Sequence, residues 1–225
     1  MTLNYDVAFS GSSGNAVRIE NIIFDIGVPY KDIEYMFNEH NINAIFVSHE
    51  HPDHLNMATY NKIINEHPFI KIYGTSNALE KLKMNNYNVD NFQVTHDRQR
   101  INVHGTVVTI YEAKHEEGVT TNTYEVYLPN LYSYVFGTDF YDFKDLPQGK
   151  YDAFFIEANH DENYKEALIK QYGSLDEIPV WLQHSSDRHT TKQAALQFYA
   201  KHRINEKSIF EPLHKSSRFY DISIE

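Results

Sequence analysis

The stretch Ser48-His49-Glu50-His51-Pro52-Asp53-His54 decides the fold, and it has the pattern H-x-H-x-D-H. It directly follows the apolar run at residues 44–47, which has the length and composition of a buried strand. Side chains alternate along extended chain, so the first two histidines can face one point. The proline suits the first turn of a helix, and the resulting bend lets the aspartate and third histidine face a second point. Since imidazole and carboxylate both bind divalent cations, this segment predicts ligands for two metal ions.

The composition is that of a globular protein. The 225 residues are 41% apolar and 23% charged, enough for one sizeable domain or two small halves around a shared core. No linker or low-complexity segment divides the sequence, so we expect a single domain over residues 1–225. No apolar run is long enough to span a membrane, and we expect neither a signal peptide nor a membrane partner. Cysteine is absent, which excludes disulfides and thiolate ligands and fits a reducing compartment. We therefore expect a cytoplasmic protein whose metal sites use His, Asp and Glu.

The net charge of −11 argues against a protein that tracks along long nucleic acid. Such proteins bind mainly through Lys and Arg, which neutralise the phosphates. The net charge does not exclude binding of nucleic acid, because two divalent cations would make the site itself positive.

The periodicity predicts short strands first and then strands mixed with helices, in two successive halves. We expect short strands within residues 3–25, further strands at 69–73, 92–94, 106–113, 121–128, 132–136, 151–156 and 208–213, and helices at 30–38, 55–66, 76–84, 162–171 and 190–201. This order indicates an α/β fold in which two sheets pack together with helices outside.

Three further polar residues follow predicted strands, where sites in layered α/β folds are found. They are His115, Asp139 and His214. Combined with the opening segment they give two ligand sets that share a carboxylate. The first metal would be held by His49, His51 and His115, the second by Asp53, His54 and His214, and Asp139 would bridge them.

With these residues the chain resembles the metallo-β-lactamase superfamily, whose hallmark is H-x-H-x-D-H followed by single His, Asp and His ligands in this order. The resemblance covers nearly the whole chain and implies a four-layer αββα sandwich. Residues 10–15 and 23–27 also look like the first motif of the family. This likeness implies that Asp25 orients the histidine segment by contacting a metal ligand.

Other motifs resemble the ribonuclease Z-like phosphodiesterase branch. Residues 189–195 are similar to the histidine motif that opens a helix in this branch. Glu157 follows a strand, as does the acidic residue that partners this histidine in the branch. Residues 214–220 resemble the last motif of the branch, although Lys215 replaces the usual aromatic residue. The arm with which that branch grips transfer RNA is missing between His115 and Asp139. The resemblance also implies a homodimer.

The resemblance implies a two-metal phosphodiesterase that uses Zn²⁺ or Mn²⁺ and a hydroxide shared by the metals. Asp53 would orient the hydroxide, and His189, held by Glu157, would be the general acid. Ser216, Ser217 and Arg218 are candidates for contacts to the phosphate, since Arg is a bidentate partner for phosphate oxygens. We expect a small nucleotide-type substrate, preferably a cyclic nucleotide. The alternatives are an exonuclease, an RNA-processing endonuclease, or a thioesterase or lactonase on the same metal site.

Overall fold

The computed structural model describes residues 3–172, 178–179 and 189–216. It contains two mixed sheets of six strands each, and helices connect many of the strands. The chain divides into two compact units, Met1–Glu112 and Ala113–Glu225. Within the described ranges, no helix combines the length and apolar character needed to cross a membrane.

The first unit contains the whole of the first sheet, whose strands follow one another in chain order. β1 and β2 run antiparallel, as do β2 and β3, whereas β3 to β6 are parallel neighbours. The strands are β1 (Tyr5–Phe9), β2 (Ala16–Ile19), β3 (Ile22–Phe24), β4 (Ala44–Phe46), β5 (Lys71–Gly74) and β6 (Phe92–Val94). The hairpin of β7 (Arg100–Val103) and β8 (Thr106–Glu116) follows, and the boundary between the units falls within β8.

Three helices of the first unit connect its successive parallel strands, because parallel strands need a long crossover connection, which is usually a helix. They are α1 (Glu34–Glu39), α2 (Met57–Glu66) and α3 (Ser76–Met84), and a short 3₁₀ turn at Tyr30–Asp32 precedes α1. Side-chain oxygens of Asn56 and Thr75 accept hydrogen bonds from the first turns of α2 and α3, which fixes where each helix begins. Buried apolar side chains from these helices and from the sheet form the core of this unit.

The second unit continues with β9 (Val119–Tyr127), β10 (Ser133–Gly137), β11 (Ala153–Glu157) and β12 (Ile209–Leu213), and with α4 (Glu162–Ile169) and α5 (Lys192–His202). β10 runs antiparallel to β9 and parallel to β11, which is parallel to β12. Every residue of β10 and β11 is buried, as expected for central parallel strands. Pro212 is tolerated in β12 because this strand lies at the edge of the sheet.

Most predicted elements are confirmed within a few residues, and α3 and β6 have the predicted bounds. The single helix expected over residues 30–38 is wrong, because a 3₁₀ turn and α1 share that region. Strand β7 was not predicted, because polar residues flank its short run of alternating exposed and buried residues. β8 is longer than expected and extends to Glu116.

Candidate metal centre

The histidine loop, residues 48–55, begins after the short parallel strand β4 in the first unit. Asp25 follows the neighbouring strand β3, so the carboxyl ends of two paired strands bring it to the loop. Its Oδ1 accepts a hydrogen bond from the backbone N–H of Ser48 at 2.7 Å. Its Oδ2 lies 2.7 Å from Nδ1 of His54. Asp25 is completely buried and contacts Ser48 and His54 on either side of the intervening loop residues.

Two polar residues without a predicted role also hold the loop. The side-chain amide of Asn15 lies 3.0 Å from Nε2 of His54 and donates to the carbonyl oxygen of Asp53 at 3.1 Å. The Ser48 hydroxyl lies 3.1 Å from Nδ1 of both His49 and His54. Both residues stood in recognised motifs, but nothing in their spacing indicated which imidazole nitrogen they would contact.

The predicted ligands of this loop are close to one another. The ring centroids of His49 and His51 are 4.5 Å apart, and those of His49 and His54 are 4.2 Å apart. Oδ2 of Asp53 lies 3.5 Å from Nε2 of His54. Because Ser48 contacts Nδ1 of His49, Nε2 is the favoured ligating atom of this imidazole. A cation at Nε2 of His54 would displace the Asn15 amide contact.

The second unit gathers four predicted residues in one cluster, of which three are buried and His189 is partly exposed. Asp139 follows β10, Glu157 ends β11 and His214 follows β12, so three adjacent parallel strands deliver them to one edge of the sheet. His189 reaches the same place from the segment before α5. Potential ligand atoms of all four lie within 4.8 Å of one another.

His189 contacts both carboxylates of this cluster. Its Nδ1 lies 2.7 Å from Oε1 of Glu157 and 3.3 Å from Oδ1 of Asp139. Nδ1 of His214 lies 3.1 Å from Oδ1 of Asp139 and 3.5 Å from Oε1 of Glu157. The other oxygen of Glu157 accepts a hydrogen bond from the backbone N–H of Phe140 at 3.2 Å. The carboxylate of Glu157 is therefore fixed on both sides.

The electrostatics of the cluster favour a charged pair. Burial alone would lower the pKa of His189, but attraction to Glu157 and the contacts with Asp139 and Glu157 raise it to about 10. Burial alone would raise the pKa of Glu157, and the two imidazoles instead hold it below its ordinary value. A cation bound at Asp139 would remove part of this support and lower the pKa of His189 again.

A network of backbone and side-chain bonds keeps His189 in place. The Thr190 hydroxyl donates to the carbonyl oxygen of Glu157 at 3.2 Å, and the backbone N–H of Asn159 donates to the carbonyl oxygen of Thr190 at 3.0 Å. The Asn159 amide donates to the carbonyl oxygen of His214 at 2.9 Å. Asn159 thus links the segments that carry His189 and His214, a role that its sequence position did not reveal.

His115 lies within β8 rather than after it, which corrects the prediction that the strand ends before this residue. It is buried, and its ring centroid is 5.9 Å from that of His189.

Ser216 is half-buried, and its backbone N–H donates to the carbonyl oxygen of Asn159 at 2.8 Å. The predicted phosphate contacts Ser217 and Arg218 lie outside the described residues.

Three of the candidate residues have left-handed backbone conformations. The φ angles are 61° at Asp25, 54° at Asp139 and 53° at His214. Asp and His are among the residues that tolerate this region best, but the conformation still costs free energy. All three follow strands that have a parallel neighbour in their sheet.

The donor chemistry of each unit fits a divalent cation. The first unit offers three imidazoles and the carboxylate of Asp53 in the histidine loop, and the second offers the cluster of Asp139, Glu157, His189 and His214. Imidazole and carboxylate together suit Zn²⁺ and Mn²⁺. In the second cluster, Nδ1 of His189 lies closest to Glu157 and Nδ1 of His214 lies closest to Asp139.

These features define a protein of the metallo-β-lactamase type. The family described as "Beta-lactamase superfamily domain" matches residues 37–206, and the chain belongs to this family. The metallo-β-lactamase fold protein YhfI from Bacillus subtilis is similar in structure, with 14% identity, a TM-score of 0.67 and coverage of 95% of this chain and 86% of that one. A diphosphatase from the PhnP family is also similar, with 14% identity, a TM-score of 0.64 and coverage of 96% and 87%.

The comparisons confirm the predicted superfamily and the α/β metallo-β-lactamase fold. Family and donor chemistry together support a metal-binding hydrolase. No curated protein matches the chain.

Gly27 provides a test of how closely the first unit is packed around the histidine loop. A Cβ at this position would lie 1.7 Å from the carbonyl oxygen of Asp53 and 2.6 Å from the backbone nitrogen of His54. Gly27→Ala must therefore displace the backbone that carries two predicted ligands. We expect destabilisation of at least about 3 kcal/mol, the upper part of the range for overpacking. Thermal denaturation should show a Tm lower by about 6 °C or more.

The matched control is Gly118→Ala. A Cβ at Gly118 would meet no atom within 4 Å, and only its φ of 79° opposes the substitution. That conformation costs about 1 kcal/mol, so the loss of Tm should be clearly smaller. Equal losses in the two variants would contradict the close approach of Gly27 to the histidine loop.

Proposed function

We propose that the protein is a metal-dependent phosphodiesterase that hydrolyses a small nucleotide-type phosphodiester, preferably a cyclic nucleotide. The observation that carries the proposal is the contact between the buried carboxylate of Glu157 and the imidazole of His189, with 2.7 Å between Oε1 and Nδ1. Hydrolysis of an alkyl phosphodiester requires a proton on the leaving oxygen, and this pair is suited to supply it. A structural neighbour described as a diphosphatase also indicates that this fold supports chemistry at phosphorus.

The roles of the two residues follow from the geometry of the pair. Because Glu157 holds Nδ1, Nε2 is the atom of His189 from which a proton can pass to the substrate. The His189 side chain is 23% exposed, whereas that of Glu157 is completely buried. His189 is thus the donor, and Glu157 fixes its orientation and favours its charged form.

The proposed metal ligands are those that the superfamily resemblance implies. His49, His51 and His115 would hold one cation, Asp53, His54 and His214 a second, and Asp139 would bridge them. Bound Zn²⁺ or Mn²⁺ would polarise the phosphoryl oxygens and lower the pKa of water at the site. Asp53 would orient the attacking water, and Asp25 keeps His54 in its ligating position.

Two features of the chain favour a small substrate. The interval between His115 and Asp139 contains only the end of β8, the strands β9 and β10 and their turns, which leaves no arm for transfer RNA. The net charge of −11 disfavours contact with a long polyanion. A homodimer and a cytoplasmic location stay predictions.

We expect His189→Ala to lower the turnover of alkyl phosphodiesters by about 10²–10⁴, the usual contribution of general acid catalysis. The loss should be much smaller for p-nitrophenyl esters, because their weakly basic leaving group needs little protonation. Steady-state kinetics on both ester types measures the difference, and metal analysis should find the wild-type metal content.

The control for this variant is His104→Ala, which changes an exposed histidine outside the proposed site. It should retain wild-type turnover. If His189→Ala kept full activity on alkyl esters, His189 would have no part in proton transfer.

Asp139→Asn tests the bridging carboxylate. Asn tolerates the left-handed backbone at this position as Asp does, so the fold should persist. Removal of the charge should release bound cations and abolish hydrolysis. Metal content after dialysis and turnover are the measurements, with the exposed Glu117→Gln as the control that keeps both. Retention of two cations per chain by the Asp139→Asn variant is incompatible with a bridging role.

The reaction class can be tested with the wild-type protein. We expect cleavage of bis-p-nitrophenyl phosphate in the presence of Mn²⁺ or Zn²⁺, and among natural substrates we expect the highest kcat/KM for cyclic nucleotides. The comparison panel contains cyclic mononucleotides, cyclic dinucleotides, single-stranded DNA and transfer RNA precursors. Activity confined to thioesters or lactones would replace the proposal with acyl hydrolysis, and preference for a polynucleotide would replace it with a nuclease.

A further inference from the structure

A cavity of about 550 Å³ lies in the second unit, and His189 forms part of its wall. We call it the His189 cavity. The chain after β10 forms one side, and the start and one face of α5 form the other. Its lining residues include Tyr141, Phe143, Lys144, Thr190, Gln197 and Lys201. Its volume is in the range of pockets that hold small molecules, and it is too large for water or an alcohol alone.

The aromatic side chains of the cavity have different roles. The rings of Phe143 and Phe198 are stacked with centroids 5.1 Å apart, and Phe198 is buried. These rings form a fixed wall. Tyr141 is 54% exposed and projects a large aromatic surface at the cavity. An exposed aromatic ring beside a fixed apolar wall suits a flat heteroaromatic group, because such groups stack on aromatic side chains.

The charge of the cavity is compatible with an anionic ester. Two lysines, Lys144 and Lys201, and one carboxylate, Asp142, belong to the lining. Lys144 is paired with Asp142 at 2.7 Å, so the ammonium of Lys201 is in excess. Among the lysines and carboxylates of the lining, the cations therefore outnumber the anions, although the whole protein has a net charge of −11. A nucleotide phosphate near the cavity would be attracted rather than repelled.

The chemistry of the proposed reaction determines which part of a substrate faces this cavity. The oxygen of water forms a bond to phosphorus, and the bond from phosphorus to the leaving oxygen breaks with its electron pair on that oxygen. The leaving oxygen takes the proton of His189, and the surplus proton of water passes to solvent, from which His189 is protonated again. The products are a phosphate monoester and an alcohol. The leaving group must therefore lie next to His189.

Resting on the proposed phosphodiesterase function, we propose that the His189 cavity binds the nucleoside attached to the leaving oxygen, with its base stacked on Tyr141. The enzyme then selects its substrate by the leaving group. In a cyclic nucleotide the same nucleoside carries both ester oxygens, and in a dinucleotide it is the released half.

The test uses 2′-deoxyadenosine whose O3′ or O5′ carries methyl phosphate, because each ester can break in two ways. Release of deoxyadenosine and methyl phosphate means that the nucleoside is the leaving group, and this is the expected result. Release of deoxyadenosine phosphate and methanol from both isomers would overturn the inference. The two product pairs are separated by chromatography and do not depend on the absolute rate.

Variants of Tyr141 examine the stacking surface. Tyr141→Ala should raise KM for the expected cleavage by about fivefold to a hundredfold, the range for loss of one base–aromatic stack. Tyr141→Phe keeps the ring and should restore the wild-type KM. Tyr172→Ala removes another exposed tyrosine of the second unit, one that does not line the cavity, and should change nothing. An unchanged KM in Tyr141→Ala would contradict the stacking role.

Bis-p-nitrophenyl phosphate separates failure of the inference from failure of the proposed function. If the protein cleaves this ester but neither methyl nucleoside ester, or releases only methanol from them, the His189 cavity does not bind the leaving nucleoside and the phosphodiesterase proposal stands. If the metal-loaded protein cleaves no phosphodiester at all, both proposals fail together.

Discussion

The buried carboxylate of Asp25 is the interaction on which the histidine loop depends. It accepts the backbone N–H of Ser48 at the beginning of the H-x-H-x-D-H segment and contacts His54 at its end. A carboxylate without any exposure to water is costly unless its oxygens are bonded, and here both oxygens are engaged. The loop therefore cannot shift without leaving a buried charge unpaired. The predicted ligands of the loop thus have fixed positions, which would lower the cost of binding a cation.

The second unit uses the same principle with a different residue. Glu157 at the end of β11 is also completely buried, and it is bonded to His189 and to the backbone of Phe140. Both carboxylates stand at carboxyl ends of parallel strands, where successive strands deliver side chains to a common edge. The rigid interior of each sheet thus positions the polar residues, and the loops after the strands carry the chemistry.

The sequence alone predicted the parts of this arrangement that depend on local pattern. The apolar run before Ser48 identified β4, and the strand ends identified Asp139 and His214 as candidate residues, whereas Glu157 was a candidate through the resemblance to the phosphodiesterase branch. It could not predict contacts between distant segments. The amide of Asn15 on His54 and the bonds of Asn159 to the His214 segment join residues far apart in the chain, and no periodicity encodes them. His115 was placed after its strand because the polar end of β8 resembles a loop.

The distances around His189 also bear on how proton donation and metal binding can coexist. Glu157 and Asp139 both contact Nδ1 of His189, but at 2.7 and 3.3 Å the contact with Glu157 is clearly the closer. A cation at Asp139 would weaken the longer contact and leave the shorter one in place. Glu157 is bonded to the backbone of Phe140 as well, so it has little freedom to turn towards the cation. A separate buried carboxylate would therefore let one imidazole keep its proton beside a predicted metal ligand.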